Sequence, residues 1–491
     1  MRLSELLSAA GLCADLGGDP EISGVTCDSR TAAEGRLFVC IRGFSGDGHL
    51  YASAAYAAGC RAFLAEQTLD LPGDAVTVIV ENTRRALASV SAAFYGFPAR
   101  KMKMIGITGT KGKTTTALLL KAILDANGVV TGYIGTSGID FCGRHFEARN
   151  TTPESVELHY YLSQMQSAGV QAVVMEVSSQ ALYLDRVYGI EFDEVAFTNL
   201  APDHIGATEH PDFAHYRDSK KKLFTGGGAA YGVGNFDDAE TPYMFENFAG
   251  LYNTFGVGGG DFNASGIAPV MENGNFGVRF TLSAFGKRCP VRLSMPGDFS
   301  VRNALCAIAL AARLGVSVAS AVRALEHATV PGRFELVKTP LAAVYIIDYA
   351  HNGVSLTSAL CTLREYHPRK LWCVCGSVGG RTQSRRPEIG RALSLYCDHA
   401  VLTADNPDGE DPEKICKEIR EGFEREIPYQ IIPDRAEAIR FVASHAGEGD
   451  IVLLAGKGHE QYQLIAGSKV PFSERLCLEK YAGEFAAMGA K

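Results

Sequence analysis

Gly109-Thr110-Lys111-Gly112-Lys113-Thr114-Thr115 constrains this chain more than any other stretch. Met104-Ile105-Gly106-Ile107-Thr108 before it reads as a short buried strand, and Thr116 to Ala126 after it has helical composition and apolar spacing. Strand, glycine loop, Lys-Thr and helix make a phosphate cradle. Glycine lets backbone N–H groups approach an anion, and the helix N-terminus adds partial positive charge. Lys113 is placed to reach outer phosphates and the Thr114 hydroxyl to hold Mg²⁺. The usual spacing would put glycine at 107, where Ile107 stands, so the loop is a compact variant with Gly109 in the first-glycine role. The plainer alternative is an ordinary glycine turn between strand and helix.

Composition narrows the class. The 491 residues suggest about three domains. No run of about eighteen apolar residues crosses a membrane, and Met1-Arg2-Leu3-Ser4-Glu5 does not open a secretory signal. Net charge is −8 without a Lys/Arg block, which argues against nucleic acid as main partner but leaves local basic pockets for small anions. The 13 cysteines are scattered and lack a Cys-x-x-Cys pair, so the expectation is reduced cytoplasmic thiols and no zinc.

The fold class expected is α/β in three domains. Residues 1–100 alternate short strands (24–26 onward, Leu37 to Ile41, Ala62 to Ala65) with a helix over Tyr51 to Ala58. Ser29, Arg30 and His49 there are either contacts for a nucleotide-type ligand or parts of solvated turns. Phe97-Pro98-Ala99-Arg100-Lys101 marks the first boundary. The central domain, 101–335, carries a mainly parallel sheet, then short antiparallel strands and hairpins over the glycine-rich residues 225–295. Pro331-Gly332-Arg333 closes it. Residues 336–491 alternate strands (Val344 to Asp348, Leu371 to Cys375, His399 to Thr403, Ile451 to Ala455) with helices, a doubly wound Rossmann-like sheet.

Polar residues collect where strands end. Val173 to Met175 read as a buried parallel strand, which puts Glu176 at its carboxyl end as an Mg²⁺ ligand or a solvated acid. His204 follows a second such strand, Glu194 to Leu200. Lys220-Lys221-Lys222, on a helix over His215 to Phe224, reads as a solvated face. In the last domain the strand ends carry Asp348, Gly376-Ser377-Val378-Gly379-Gly380-Arg381, Asp405-Asn406-Pro407-Asp408 and Gly456-Lys457-Gly458-His459-Glu460, which together describe a binding edge.

Those motifs come in a family-specific order. The phosphate loop, Asn150-Thr151-Thr152-Pro153, Glu176-Val177-Ser178-Ser179-Gln180, Pro331-Gly332-Arg333-Phe334-Glu335, Asp348-Tyr349-Ala350-His351, Asp405-Asn406-Pro407 and Gly456-Lys457-Gly458-His459-Glu460 resemble the Mur ligase family over almost the full length. The likeness points to the MurE branch, which adds an amino acid to UDP-N-acetylmuramoyl-L-Ala-D-Glu. It implies an ATP-dependent carbon–nitrogen ligase of peptidoglycan precursor synthesis, acting in the cytoplasm as a monomer in cell-wall biogenesis, cell shape and division. The substrate carboxylate would become an acyl phosphate, and an amine would then displace phosphate. That crowding of anions calls for Mg²⁺ and fixed cations.

The resemblance also implies residue roles. Gly109, Thr110, Lys111, Gly112, Lys113, Thr114 and Thr115 would hold ATP phosphates, with Asn303 and Asp348 flanking base and ribose. Thr114 and Glu176 would serve one Mg²⁺, and His204 a second with Lys220, the lysine that counting back from Leu223-Phe224 selects as carbamylated. Ser29 would contact the uridine nucleotide, and Asn150, Thr151, Thr152, Ser178 and Arg186 the muramoyl dipeptide. Arg386, Asp405, Asn406, Pro407, Asp408, Gly456 and Glu460 would hold the incoming amino acid.

The chain departs from the pattern at three places. Diaminopimelate-adding members usually carry arginine where Asp408 stands; an acid repels a carboxylate and attracts an ammonium, so L-lysine is the favoured amino acid and meso-2,6-diaminopimelate the alternative. Arg386 speaks for the alternative, as does a rotated loop that removes Asp408 from the pocket. Asn199-Leu200-Ala201-Pro202-Asp203-His204-Ile205-Gly206 lacks the Ser-Arg and second Asp of many members. Gly380-Arg381 lacks an acid before its arginine. The rivals are a folylpolyglutamate synthase, which lacks the leading domain and the Asn-Thr-Thr-Pro turn, and a nucleotide-dependent binding module that ligates nothing. A reductase reading of the last domain fails for want of Gly-x-Gly-x-x-Gly after its first strand.

Overall fold

The computed structural model describes residues 1–43, 46–206, 209–226, 228–272, 275–380 and 383–489. It forms two compact units: Met1–Ser265 with Leu282–Cys289 and Arg302–Ala324, and Gly266–Thr281 with Pro290–Val301 and Leu325–Lys491.

The first unit opens with four parallel strands in sequence order, Gly24–Thr26, Arg36–Val39, Ala62–Ala65 and Val76–Ile79. Their alternating side chains serve two faces. Leu37, Val39 and Leu64 pack on Leu3, Leu6, Leu87 and Val90 of two helices, while Phe38 and Phe63 pack on Ala55 and Cys60. The helix Thr83–Phe94 starts where the Asn82 side chain accepts from the Arg84 and Arg85 amides, so the cap fixes its entry. Arg85 then reaches Asp185 at 3.2 Å and joins this sheet layer to the next.

The second sheet of this unit is built on the phosphate-loop strand, Lys103–Thr108. It lies parallel between Glu194–Phe197 and Ala172–Glu176. Tyr231–Asn235 and Leu251–Gly256 extend the parallel ladder on one side, and Thr131–Gly135 on the other. Gly138–Phe141 and Arg144–Phe146 finish that second side as antiparallel strands. Every residue of Ala172–Glu176 and Glu194–Phe197 is buried, as a sheet covered on both faces requires.

The reading of residues 225–295 as short antiparallel strands and hairpins needs correction in its first strands and in strand length. Tyr231–Asn235 and Leu251–Gly256 are parallel strands, and those that follow are long: Phe262–Glu272, Asn275–Ala284 and Lys287–Leu293. The glycines that suggested turns serve packing. A Cβ on Gly232 would meet the Phe245 ring at 2.5 Å, and one on Gly234 the Thr241 methyl at 2.6 Å.

In the second unit, Glu335–Val337, Val344–Asp348, Ile451–Ala455, Leu371–Cys375, His399–Leu402 and Tyr429–Ile431 form a six-stranded sheet in that order. Only Glu335–Val337 runs antiparallel to its neighbour. Helices cover both faces: Leu356, Leu360, Ile389 and Leu393 close one core, and Ile439, Val442 and Leu478 the other. The doubly wound expectation holds. The hairpin Tyr462–Ile465 with Ser468–Pro471 and the helix Glu474–Gly489 were not anticipated. Among the described residues no helix is long and apolar enough to cross a membrane.

Candidate active site

The carboxyl ends of the three central strands converge on the glycine loop. Gly109 (φ +149°) and Gly112 (φ +85°) take backbone conformations that L side chains rarely adopt. A Cβ on Gly109 would lie 1.9 Å from Thr198 Oγ1, and one on Gly112 2.3 Å from Asn303 Oδ1. The loop is held from outside. Thr198 Oγ1 donates to the Lys111 carbonyl at 2.7 Å, and the Asn199 side chain accepts from the Lys111 amide at 2.9 Å. Thr110 Oγ1 pairs with the Tyr216 hydroxyl at 3.0 Å. Thr198, Asn199 and Tyr216 were missed as loop supports; the signal available was a polar Thr-Asn pair at the end of a buried strand.

Glu176 sits at its strand end, as expected, but is fully buried and not solvated, and its carboxylate accepts four hydrogen bonds. The donors are Thr114 Oγ1 at 2.9 Å, Tyr133 Oη at 2.6 Å, the Thr136 amide at 2.9 Å and Thr136 Oγ1 at 3.2 Å. Burial, with Glu176 beside it, holds the Tyr133 phenol well above its usual range, so it stays a donor.

Two lysines meet on one carbonyl. Lys113 Nζ lies 2.8 Å and Lys220 Nζ 2.9 Å from the Gly109 oxygen. Lys220 is 1% exposed, unlike the solvated face that a lysine run suggests. Burial first, then Lys113, lowers its amine well below the lysine range. Lys221 is also partly covered, between Glu246 and the Tyr243 ring, while Lys222 is exposed. The His204 ring centroid lies 6.1 Å from that of Tyr216, over which Lys220 Nζ stands at 4.5 Å. His204 is exposed, in the left-handed region (φ +56°), with Nδ1 2.9 Å from Glu209. Nearby His210 is buried between Ser179 and His215, and that burial, then His215, pushes it down to about 4.

The residues assigned to the dipeptide also gather. Thr152 Oγ1 donates to the Glu176 carbonyl at 2.8 Å and accepts from the Ser178 amide at 3.0 Å. Arg186 donates to the Thr152 carbonyl at 3.1 Å and pairs with Glu154. Thr151 Oγ1 lies 3.0 Å from Thr136 Oγ1, and Asn150 is exposed. Ser29 is half-buried in a turn capped by Asp28. His49 is not open to a ligand: it is 7% exposed, with Nδ1 on Asp47 at 2.5 Å and Nε2 accepting the Glu66 amide at 3.0 Å.

The second unit gathers most of its own strand-end residues. Asp348 is buried and accepts the Phe334 and Ala350 amides, each at 2.9 Å; burial raises its carboxyl, against the pull of Arg333. Lys457, missed as a site residue, is fully buried, 3.0 Å from Asn406 Oδ1, 2.9 Å from Glu460 and 3.6 Å from Asp405. Asn406 Nδ2 donates to Glu460 at 2.9 Å. A Cβ on Gly456 (φ +114°) would approach Asp405 Oδ2 at 3.0 Å, and Pro407 is buried beside them. Asp408 faces elsewhere: in the left-handed region (φ +52°), its Oδ1 accepts the Gly467 amide of the hairpin at 2.7 Å. Arg386 is enclosed by Glu410 and Glu418. Arg381 lies outside the described residues.

Comparison with known proteins bears on all of this. Residues 21–95 match the model "Mur ligase family, catalytic domain", 107–311 "Mur ligase middle domain", and 332–458 "Mur ligase, glutamate ligase domain". A UDP-N-acetylmuramoyl-L-alanyl-D-glutamate–2,6-diaminopimelate ligase of Caldanaerobacter subterraneus subsp. tengcongensis is 40% identical over 488 residues, 99% of each chain. The enzyme of the same name from Geobacillus kaustophilus is 40% identical, covering 97% of this chain and 98% of its own. A solved structure of that name superposes with TM-score 0.69 at 26% identity, over 95% of each chain. With three matches in chain order and relatives aligned end to end, the chain belongs to the Mur ligase family of ATP-dependent carbon–nitrogen ligases.

Proposed function

We propose that the chain joins meso-2,6-diaminopimelate to the D-Glu carboxylate of UDP-N-acetylmuramoyl-L-Ala-D-Glu, with ATP cleavage. The observation carrying it is the cluster at the glycine loop, where Lys113 and buried Lys220 share the Gly109 oxygen beside a Thr114–Glu176 pair. The lysine preference gives way to its alternative on two supports. Relatives at 40% identity are named for diaminopimelate. The acid on which the lysine reading rested, Asp408, is bonded to the hairpin amide at Gly467.

In this reading residues 1–100 bind the UDP-muramoyl group, with Ser29 on the nucleotide; 101–335 bind ATP; and 336–491 bind the amino acid. The loop amides, Lys113 and the start of helix Lys113–Ala126 hold the outer phosphates. Asn303, whose Oδ1 accepts from Thr116 Oγ1 at 3.3 Å, and Asp348 serve base and ribose. Asn150, Thr151, Thr152, Ser178 and Arg186 hold the dipeptide so that a D-Glu carboxylate oxygen meets the γ-phosphorus. ADP leaves, an acyl phosphate remains, and the amine attacks its carbonyl carbon, loses a proton and expels phosphate. Asp405, Asn406, Pro407, Gly456 and Glu460 hold the amino acid.

The hydroxyl of Thr114 and the carboxylate of Glu176 are hard oxygen donors that fit Mg²⁺. Such an ion, when bound, offsets charge on the transferring phosphoryl group. His204 and a carbamate on Lys220 are the donors assigned to a second one. The uncharged amine is the form that takes up CO2, and burial, then Lys113, biases Lys220 toward it, which supports Lys220 as the modified residue.

Phosphate release tests the whole reading. It should require ATP, UDP-N-acetylmuramoyl-L-Ala-D-Glu and diaminopimelate together, and run faster with diaminopimelate than with lysine. Release without the muramoyl dipeptide would point to a different ligase, and the reverse amino acid order would restore lysine.

A further inference from the structure

Lys457 follows the strand Ile451–Ala455 in Gly456-Lys457-Gly458-His459-Glu460, and its side chain is 0% exposed. Gly456 and Gly458, at φ +114° and +55°, bend the chain there, and the Glu460 amide donates to the Lys457 carbonyl at 3.0 Å. The turn brings the two side chains together, with Lys457 Nζ 2.9 Å from Glu460 Oε2. The same nitrogen donates to Asn406 Oδ1 at 3.0 Å and lies 3.6 Å from Asp405 Oδ1. An ammonium has three N–H donors and no acceptor, and each of these three oxygens belongs to a residue assigned to the amino acid.

Those contacts decide which way the Asn406 amide faces. Its Oδ1 accepts from Lys457 and also from the Leu464 amide at 2.9 Å, so Nδ2 is left to donate, and it does so to Glu460 Oε2 at 2.9 Å. Turned over, the amide would set its NH2 group against an ammonium and a backbone N–H, donor against donor. Glu460 Oε2 thus receives Lys457 and Asn406 together, while among the described residues Oε1 takes no hydrogen bond. Lys457 therefore fixes one oxygen of Glu460 twice, directly and through Asn406, and leaves the other unengaged.

The backbone here is held by other means. Arg435, buried and paired with Glu474 at 2.7 Å, donates to the Ala404 carbonyl at 3.0 Å and to the Ala455 carbonyl at 2.7 Å, the residues just before Asp405 and Gly456. Gln463 donates to the Asp405 carbonyl at 2.9 Å. What Lys457 adds is the placement of side chains, and one buried positive charge with two carboxylates, Asp405 and Glu460, within 3.6 Å of it.

We propose that Lys457 is the positioning residue for Glu460: with the Asn406 amide that it orients, it holds Oε2 so that Oε1 meets the incoming amino acid, and it does not itself touch the substrate. The inference rests on the ligase reading and on Glu460 meeting the amino acid.

The test uses the full chain with Lys457→Met, Lys457→Gln, Glu460→Gln and the double variant Lys457→Met/Glu460→Gln, read by phosphate release and by melting temperature. Lys457→Met should raise KM for diaminopimelate about 10-fold while kcat and KM for ATP stay within about 2-fold, the split expected when a substrate contact is misplaced. Lys457→Gln keeps two N–H donors and should fall between it and wild type. On the Glu460→Gln background the change to Met should cost less than about 3-fold more in KM, because the two side chains act as one unit. Three results overturn the role: a wild-type KM for diaminopimelate in folded Lys457→Met, an equal rise in KM for ATP, or a further loss of about 10-fold on the Glu460→Gln background. If Lys457→Met does not fold, the KM of Lys457→Gln decides in its place, a raised value supporting the role and a wild-type value overturning it. Wild-type protein that releases no phosphate with any amino acid would instead remove the ligase reading.

Discussion

The side-chain nitrogen of Lys220 lies 2.9 Å from the carbonyl oxygen of Gly109, an oxygen that Lys113 also approaches. Burial disfavours the charge on Lys220, and the second amine on the same acceptor disfavours it further. The proposed role of Lys220 follows from that lowered amine: CO2 adds to a free amine, which loses a proton and becomes a carbamate, an anionic oxygen donor beside a loop whose charged side chains, Lys111 and Lys113, are both cations. Lys220→Ala should lower kcat on the order of 10²–10³-fold, the scale of losing one preorganised electrostatic group. Short-chain carboxylates added to the variant should restore part of the rate. Activity near wild type in Lys220→Ala would remove the carbamate.

Glu176 makes a different prediction for two substitutions. Its carboxylate is the acceptor for Thr114, Tyr133 and Thr136, all in a buried setting. Glu176→Ala orphans these donors, each at a cost of about 1–3 kcal/mol, so it should melt several degrees below wild type as well as lose activity. Glu176→Gln keeps the volume and one acceptor oxygen but removes the charge. It should melt closer to wild type and still lose turnover on the order of 10²-fold. Thermal melts beside phosphate release separate the two; a Gln variant with wild-type turnover would take Glu176 out of the metal set.

What the sequence discloses and what it hides differ in kind. Val344–Asp348 and Leu371–Cys375 are legible to the residue because burial on both faces leaves little choice. Gly232 and Gly234 misled because glycine serves close packing as readily as turns, and only the Phe245 ring against them tells which. The strand-end acids and the glycine loop were visible as motifs. The partners that fix them were not: Tyr133 meets Glu176 from 43 residues away and Lys457 meets Asn406 from 51. His49 shows the converse, a polar residue in a polar loop whose two ring nitrogens are both taken up by the fold.

Asp408 should prove indifferent to the choice of amino acid. Its carboxylate accepts the Gly467 amide, and its amide donates to the Leu464 carbonyl at 2.9 Å, so the side chain belongs to the hairpin turn. Asp408→Asn retains an acceptor and a residue type that tolerates positive φ. Its rate ratio for diaminopimelate over lysine should stay within about 3-fold of wild type, with a melting temperature little changed. Asp408→Ala loses the acceptor and should cost about 1–2 kcal/mol without altering that ratio. A ratio that swings toward diaminopimelate in either variant would return Asp408 to the pocket.

Glu194 predicts how stability varies with pH. It is 3% exposed, at the start of the strand beside the phosphate-loop strand. Burial, then Asp193, raises its carboxyl to about 8, against the opposing pull of Arg313 and Lys103. The native state therefore keeps a proton that the unfolded chain releases near the ordinary glutamate value, about 4.3. The unfolded state binds fewer protons between those values, so this group's contribution is fully present below the lower one and is lost as pH rises toward 8. The slope is at most about 1.4 kcal/mol per pH unit, flattening above that. Glu194→Gln holds the neutral form at every pH. Denaturant melts between about pH 5 and pH 8 should show wild type losing stability relative to the variant as pH climbs, the gap levelling off near the top of that range. Parallel curves would mean that Glu194 is ionised in the fold, paired with Lys103 or Arg313 in place of being buried as the acid.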